Sequence, residues 1–548
     1  MGSVYPAFPP SNPVTKLQQL ASSCPDRVYA RLLEGDWRTN GPREVTMREL
    51  STAVNRMSFW LDEELGASKN FDPFVYYGDA DIRYTFAIFA AIKTQRKIVL
   101  VDGASNHDGL IHVLEDLHCT QWVAAEGTTS FAQSLLSKIP RVTIKTLPPL
   151  DYWLQDVECP EYLYTKSWEE SLWDPVWVMQ TSGSTGKPKS FIHTQAFASM
   201  FNHTRRHDGE TMENPELLHA CLTGTSCLWL PRPYWLGGAI GYICFPMYCN
   251  MSLVLPPSDT VFPTLGLIED ILATINMDGA FMSPSLFRDL CLDEQNIERL
   301  RSLKYILYAG APLDQWVGDL LCEHTFISSI IGSTEIGPLW VNKPRHRKDW
   351  KYLRFDERNG HRMEPVADGL FEMVLHRTPE LEQYQGAFVT FPHIQSYRTS
   401  DLFEKHPVHD DQWIHRGRAD DMFKLKWMTR VKANEIESEI ERHEMISRVM
   451  VGGQNRPHPF AIVEMSLKAD MKDGGSAPTE TLKEQIWAMF ERVNMTLLPE
   501  VKIPRSHIIL ADADKPLLRL VKGTLNRPGI NAEYADKIEQ LYRKEDDE

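Results

Sequence analysis

The chain has 548 residues, 43% of them hydrophobic and 24% charged, which is the make-up of a globular protein with two or more domains. With 58 Lys and Arg against 74 Asp and Glu, the net charge is −16, which excludes a general nucleic-acid binder. The start, "MGSVYPAFPPSNP", has no basic region followed by an apolar run, Pro6 spoils a myristoylation pattern at Gly2, and no apolar stretch is long enough to span a bilayer.

"TMRELSTAVNRMSFWLDEEL" opens with a capping-box pattern, Thr46 to Glu49, and predicts an amphipathic helix. "KIVLVD" (Lys97 to Asp102), "VWVMQ" (Val176 to Gln180) and "KYILY" (Lys304 to Tyr308) read as buried strands. Such runs between helical stretches predict parallel sheets covered on both faces. "GLFEMVLHR" and "GAFVTF" (Gly369 to Phe391) read as closely spaced strands. Beyond "RGRADD" (Arg416 to Asp421) the helical patterns "NEIESEIERH" and "LKEQIWAMFERV" flank a loop, "DMKDGGSAP" (Asp470 to Pro478). The expected fold is α/β. A large N-terminal domain (1–419) with parallel-rich sheets is expected, followed by a small C-terminal α+β domain (420–548). The nine cysteines are scattered, with no CxxC pair, which argues against a disulfide framework or zinc site and for a reduced, cytoplasmic setting.

"QTSGSTGKPKSF" (Gln180 to Phe191) follows one of those strands. Glycines let a backbone approach an anion, successive N–H groups form an anion-binding concavity, and Lys187 and Lys189 add positive charge. The Walker pattern needs four residues between its glycines and a Ser or Thr after the Lys. Here two residues separate Gly183 from Gly186, and Pro188 follows Lys187. Taken alone, the run reads as a surface loop.

Further motifs follow in order: "YAGAPL" (Tyr308 to Leu313), "IGSTEIG" (Ile331 to Gly337), "YRTSDLF" (Tyr397 to Phe403), "GRADDMFKLK" (Gly417 to Lys426) and "KPLLRLVKGTLNR" (Lys515 to Arg527). Together they resemble the core motifs of the adenylate-forming superfamily: acyl-CoA synthetases, luciferases and peptide-synthetase adenylation domains. The resemblance covers nearly the whole chain. It is greatest to the adenylation domain of fungal synthetase-like carboxylic acid reductases, in the early region "GDADIRYTFAIFAAIKTQRKIVLVDGASN" and in Lys-Gly-Thr near the end.

The resemblance implies that ATP and a carboxylate form an acyl adenylate and pyrophosphate, and that a thiol then attacks the adenylate. It places Thr181, Ser182, Gly183, Ser184, Thr185, Gly186, Lys187 and Lys189 around the β- and γ-phosphates. It assigns Thr334 to the α-phosphate and Glu335 to Mg²⁺, a hard cation suited to a carboxylate. Gly310, Ala311 and Pro312 would lie along the adenine, with Ile331, Gly332 and Ser333 beside it; Ile331 stands where an aromatic residue is usual. Asp401 would accept from the ribose hydroxyls and Arg418 would add a ribose or phosphate contact. The catalytic lysine is expected at Lys522, where Lys-Gly replaces the usual Gly-Lys order, with Lys515 as competitor. Asp420 matches the hinge. Trp427 and Met428 replace a glycine that usually lets the thiol arm pass.

The residues also have plain structural readings: Glu335 and Arg418 as solvated charges, Asp401 as a turn former, Thr334 as a helix cap. Six motifs in order favour the functional ones. By resemblance the acyl pocket is lined by Tyr234, Trp235, Gly238, Ser283, Ala309, Ile330, Pro338 and Leu339, with Tyr234 in the gating place. "LGGAIGYICF" (Leu236 to Phe245) has no acid to hold an α-ammonium group, which disfavours ordinary amino acids. An aryl or other non-amino carboxylic acid is expected first. A betaine is second, with Trp235 and Trp340 offering cation-binding faces. The resemblance implies the first domain of a carboxylate reductase, and no carrier serine motif or GxGxxG is found in this chain. Its carrier domain with phosphopantetheine, and its NADPH-binding reductase domain, would lie elsewhere. The alternatives are a stand-alone ligase using CoA and a decayed nucleotide-binding scaffold.

Overall fold

The computed structural model describes residues 11–102, 107–136, 139–181, 188–204, 214–260, 263–367, 369–419, 422–426, 429–466, 480–497, 499–512, 515–519 and 525–546. Its two large sheets are mostly parallel. The first holds seven strands in the order Phe326–Ser329, Tyr305–Tyr308, Gly279–Met282, Ser226–Trp229, Ser252–Leu255, Val28–Leu32, Arg43–Thr46. Only its last pair is antiparallel. The second holds six: Thr143–Leu147, Gln121–Ala125, Pro73–Tyr77, Lys97–Leu100, Pro175–Thr181, Lys189–Thr194, and again only the last pair is antiparallel. These strands are short and apolar because both faces are covered.

The largest apolar cluster draws on both sheets and on the helices between them, with Tyr76 and Trp177 from one sheet and Trp229 and Leu253 from the other. Helix Met47–Leu65 carries the predicted capping box, Thr46 and Glu49 exchanging side-chain and backbone bonds. Helix Arg83–Lys93 is buried along its whole length. Its charged ends are therefore paired: Arg83 meets Asp81 at 2.6 Å, and Lys93 Nζ donates to Asn55 at 2.6 Å and to the Tyr162 carbonyl at 3.0 Å.

A four-stranded antiparallel sheet follows: His361–Ala367, Leu370–His376, Ser396–Lys405 and Trp413–Arg418. "GAFVTF" does not supply one of its strands; Gly386–Thr390 is a short helix. A five-residue apolar run has no period that separates strand from helix. Here tertiary packing decides, since a Cβ on Gly386 would lie 2.4 Å from the Ile336 carbonyl oxygen.

Past Met422 the chain makes a hairpin, Met422–Lys424 with Arg430–Lys432, and a three-stranded sheet, Ile446–Gly452, Phe460–Met465 and Ile508–Leu510. Helices Ala433–Ile440, Glu480–Asn494, Arg527–Glu533 and Ala535–Asp546 cover it. Two apolar clusters in this region contain no residue from before Phe423. The predicted loop Asp470 to Pro478 lies outside the described residues. Among the described residues no helix is long and apolar enough to cross a membrane.

Candidate nucleotide and carboxylate site

Strands Pro175–Thr181 and Lys189–Thr194 pair with Thr181 opposite Lys189. The connection between them therefore starts and ends at neighbouring points on the edge of the six-stranded sheet. Ser182, Gly183, Ser184, Thr185, Gly186 and Lys187 fall in that connection and lie outside the described residues.

Strands Tyr305–Tyr308 and Phe326–Ser329 are parallel neighbours, and the Ile330 N–H donates to the Tyr308 carbonyl at 2.8 Å. Ala309–Pro312 and Ile330–Thr334 therefore leave the carboxyl edge of the seven-stranded sheet side by side, the usual ligand-binding edge of such sheets. Gly310 has φ +87°, and Gly310, Ala311 and Pro312 are exposed. Gly332 pairs with Pro338 and Ser333 with Gly337, and the Ile336 N–H donates to the Ser333 carbonyl. Thr334 and Glu335 thus sit at the tip of a tight turn. Gly337 has φ +76°, and a Cβ on Gly332 would lie 2.3 Å from the Gly337 carbonyl oxygen, so this turn needs both glycines.

Asp401 and Arg418 are cross-strand partners in the four-stranded sheet. Asp401 Oδ1 lies 3.2 Å from His415 Nε2 and 3.8 Å from an Arg418 guanidinium nitrogen. Burial pushes the Tyr397 phenol up to about 12; Glu335's charge adds to the rise, Arg418 opposes it and Asp401 adds again. Tyr397 is thus within electrostatic reach of all three. Its ring stacks on Phe391 at 5.5 Å, and Phe391 meets Phe191 of the loop hairpin edge-on at 6.1 Å. The turn, the strand pair and the hairpin converge here.

Ser400, next to Asp401, holds φ +62°, a left-handed conformation that costs an L-residue about 1–2 kcal/mol. Glycine is free of that cost but loses about 0.5–1 kcal/mol more entropy on folding. Ser400→Gly should therefore stabilise the protein by about 0.5–1 kcal/mol, read as a higher thermal midpoint.

The residues expected to line the acyl pocket divide. Tyr234, Ala309 and Ile330 pack against the largest apolar cluster. Leu339 belongs to another, centred on Phe388 and Phe403, against which Ile331 packs. Ser283 is exposed, and its hydroxyl caps helix Pro284–Leu290 by accepting from the Leu286 N–H. Pro338 is half-buried beside the turn. Gly238 is fixed by a close approach, since a Cβ there would overlap the Arg232 carbonyl oxygen at 1.6 Å. Its helix, Leu236–Ala239, continues through a π-turn, Ile240–Cys244, a feature frequent at functional sites. Trp340 is core: its indole N–H donates to the Tyr384 carbonyl at 2.7 Å and it is 1% exposed, so it offers no cation face.

Sequence reasoning missed three neighbours. Trp235's indole N–H donates to Asp102 Oδ2 at 2.7 Å, an acid from a strand end 133 residues away. His415 contacts Asp401. His193 lies beneath Thr334, the Thr334 carbonyl oxygen 2.8 Å from its Nε2. His193, in the mixed strand Lys189–Thr194, and Asp102 had no local signal. Lys522 and Asp420 lie outside the described residues. Lys515 is exposed.

Two mostly parallel sheets, a four-stranded antiparallel sheet and a small C-terminal α+β region, with these motifs on their edges, define the fold of an adenylate-forming enzyme. The chain belongs to the AMP-binding enzyme family: that family's model matches residues 17–355, and that of its C-terminal domain matches residues 420–546. It is 28% identical over 549 residues to a carboxylic acid reductase of Neurospora crassa, covering 96% of this chain and 50% of that protein. It is 28% identical over 377 residues to the adenylate-forming reductase Nps9 of Serpula lacrymans, covering 67% of this chain and 33% of that protein. The chain thus spans half or less of these relatives. Among solved structures it resembles the adenylation domain of a carboxylate reductase from Mycobacterium chelonae, with TM-score 0.69 and 15% identity over 98% of this chain and 92% of that one. It also resembles the anthranilate CoA ligase AuaEII in complex with anthranoyl-AMP, with TM-score 0.67 and 17% identity over 96% and 98%.

Proposed function

We propose that this chain activates a carboxylic acid with ATP, releasing pyrophosphate, and passes the acyl group to the phosphopantetheine thiol of a carrier domain as the first step of a carboxylate reductase. The observation that carries the reading is the convergence of Glu335, Asp401 and Arg418 around Tyr397, beside the hairpin that frames the glycine-rich loop. Asp401, an acceptor, binds the ribose hydroxyls. Thr334 donates to the α-phosphate oxygens as charge builds during in-line attack. Glu335, half-buried at the turn's tip, would hold Mg²⁺, a cation that binds through one or two carboxylates plus substrate phosphates and would neutralise charge there. Lys522, from a C-terminal domain beginning at Asp420, bridges the carboxylate and the α-phosphate.

The substrate proposed first is an aryl or other non-amino acid, supported by the apolar setting of Tyr234, Ala309 and Ile330. A quaternary-ammonium acid is the second reading, favoured by Asp102 held against Trp235 beside Tyr234. The test is carboxylate-dependent ATP–pyrophosphate exchange with Mg²⁺ over aryl acids, short aliphatic acids, amino acids and betaines. Strong exchange with one class establishes adenylation and selects the substrate. Silence across the panel with ATP still bound removes the reading. Product assays with CoA and with a carrier domain separate a free-standing ligase from carrier loading.

A further inference from the structure

Trp177 and His193 face each other across the hairpin that frames the glycine-rich loop. The Trp177 indole N–H, which can only donate, points at His193 Nδ1 over 3.0 Å. Nδ1 is therefore the acceptor, and the proton of the neutral ring sits on Nε2. That Nε2–H donates to the Thr334 carbonyl at 2.8 Å, across 141 residues of sequence. The tautomer is set by the protein's own donor.

The bridge is dry and tightly held. His193 is 1% exposed and Thr334 4%. The imidazole packs on the Phe197 ring with centroids 4.1 Å apart. Burial pushes the His193 pKa down to about 4, so the ring stays neutral at physiological pH. The carbonyl it holds belongs to the Thr334–Glu335 peptide. Fixing that peptide plane fixes the direction in which the side chains at the turn's tip project.

We infer that His193 is a positioning residue for adenylation, a rigid neutral spacer that sets the Thr334–Glu335 turn against the hairpin framing the glycine-rich loop. The inference rests on the reading of Thr334 and Glu335 as the α-phosphate and Mg²⁺ groups. A shift of about 1 Å in such groups costs on the order of 10²-fold in rate, so the effect falls on kcat rather than on the KM for ATP.

The test uses the full chain and pyrophosphate exchange with the best acid of the panel, alongside thermal midpoints. Thr334→Ala serves as the reference for the site reading. His193→Ala should lower kcat by about 10²-fold while the KM for ATP changes by less than about threefold. Glutamine can place an amide N–H near the position of imidazole Nε2, and His193→Gln should recover kcat to within about tenfold of wild type. Asparagine is as polar but too short to reach the Thr334 carbonyl, and His193→Asn should stay as slow as alanine. A merely structural role would move Asn and Gln together, following their midpoints; that outcome, or wild-type kcat in His193→Ala, overturns the inference. In the unaltered protein, nitrogen-15 spectra should show His193 as the Nε2–H tautomer, slow to exchange; an Nδ1–H tautomer overturns the inference even if the variants do not fold. Absence of exchange in the wild type, or a neutral Thr334→Ala, removes the site reading itself.

Discussion

Lys522→Ala is expected to lower acyl-adenylate formation by at least about 10²-fold while leaving ATP binding within about threefold of wild type. The reaction brings a carboxylate up to a phosphate, two anions that repel, and negative charge grows on the phosphate as the bond forms. A cation touching both groups acts mainly in the transition state, and removing one such donor costs about 10²–10³ in kcat. ATP contacts many other groups, so its ground-state affinity is little changed. Lys522 lies outside the described residues, but its flanks are tied: Arg519 pairs with Leu525, and the Asn526 N–H donates to the Leu518 carbonyl at 2.8 Å. Arg519 and Leu525 are thus two paired points of the chain. Lys515 stands before those points, exposed. Single-turnover adenylation by the two alanine variants decides between them. Full activity in Lys522→Ala with loss in Lys515→Ala would move the catalytic role to Lys515.

Those parts of the candidate site and fold that are local have a sequence signal. The turn at Thr334 and Glu335 needs Gly332 and Gly337 at fixed offsets, and both appear in "IGSTEIG". The capping box at Thr46 and Glu49 is a four-residue pattern. Tyr305–Tyr308 is an uninterrupted apolar run of strand length. What escaped the reading is non-local. No spacing rule joins Asp102 to Trp235 or His193 to Thr334; only the stacking of sheets brings them together. "KIVLVD" also ran past its strand, which ends at Leu100, because the same β-branched pattern continues through Val101 where pairing stops. Ser283 and Trp340 have local roles that the sequence did not signal: the Ser283 hydroxyl caps helix Pro284–Leu290, and the Trp340 indole N–H is bonded within the core.

Arg527→Ala should be the most damaging single change in the C-terminal region. Glu437 is 6% exposed, and its carboxylate accepts from Arg527 at 2.9 and 2.6 Å and from the Val451 N–H at 2.6 Å. Arg527 also donates to the Val451 carbonyl at 3.1 Å. One ion pair therefore ties helix Arg527–Glu533 to helix Ala433–Ile440 and strand Ile446–Gly452. Removing one member of such a pair leaves a buried charge uncompensated and costs about 3–5 kcal/mol. Amide-exchange protection should fall by at least about 10²-fold in Arg527–Glu533 and Ala535–Asp546, with the two large sheets unchanged. The double variant Glu437→Gln with Arg527→Met, which removes both charges, should regain most of the loss. The deficit should also depend on pH. Burial already pushes the Glu437 carboxyl above its ordinary value of 4.5, with Arg527 pulling the other way. Without Arg527 the folded-state value rises further. The proton that the folded form then binds contributes stability fully below 4.5, and that contribution is lost as pH rises through the raised value. Exchange in Arg527→Ala should therefore be closer to wild type at about pH 5 than at about pH 8. Equal protection in variant and wild type at both pH values would mean that the helix is held by its apolar face, Ile530 and Tyr534 against Ile509 and Ile462, rather than by the ion pair.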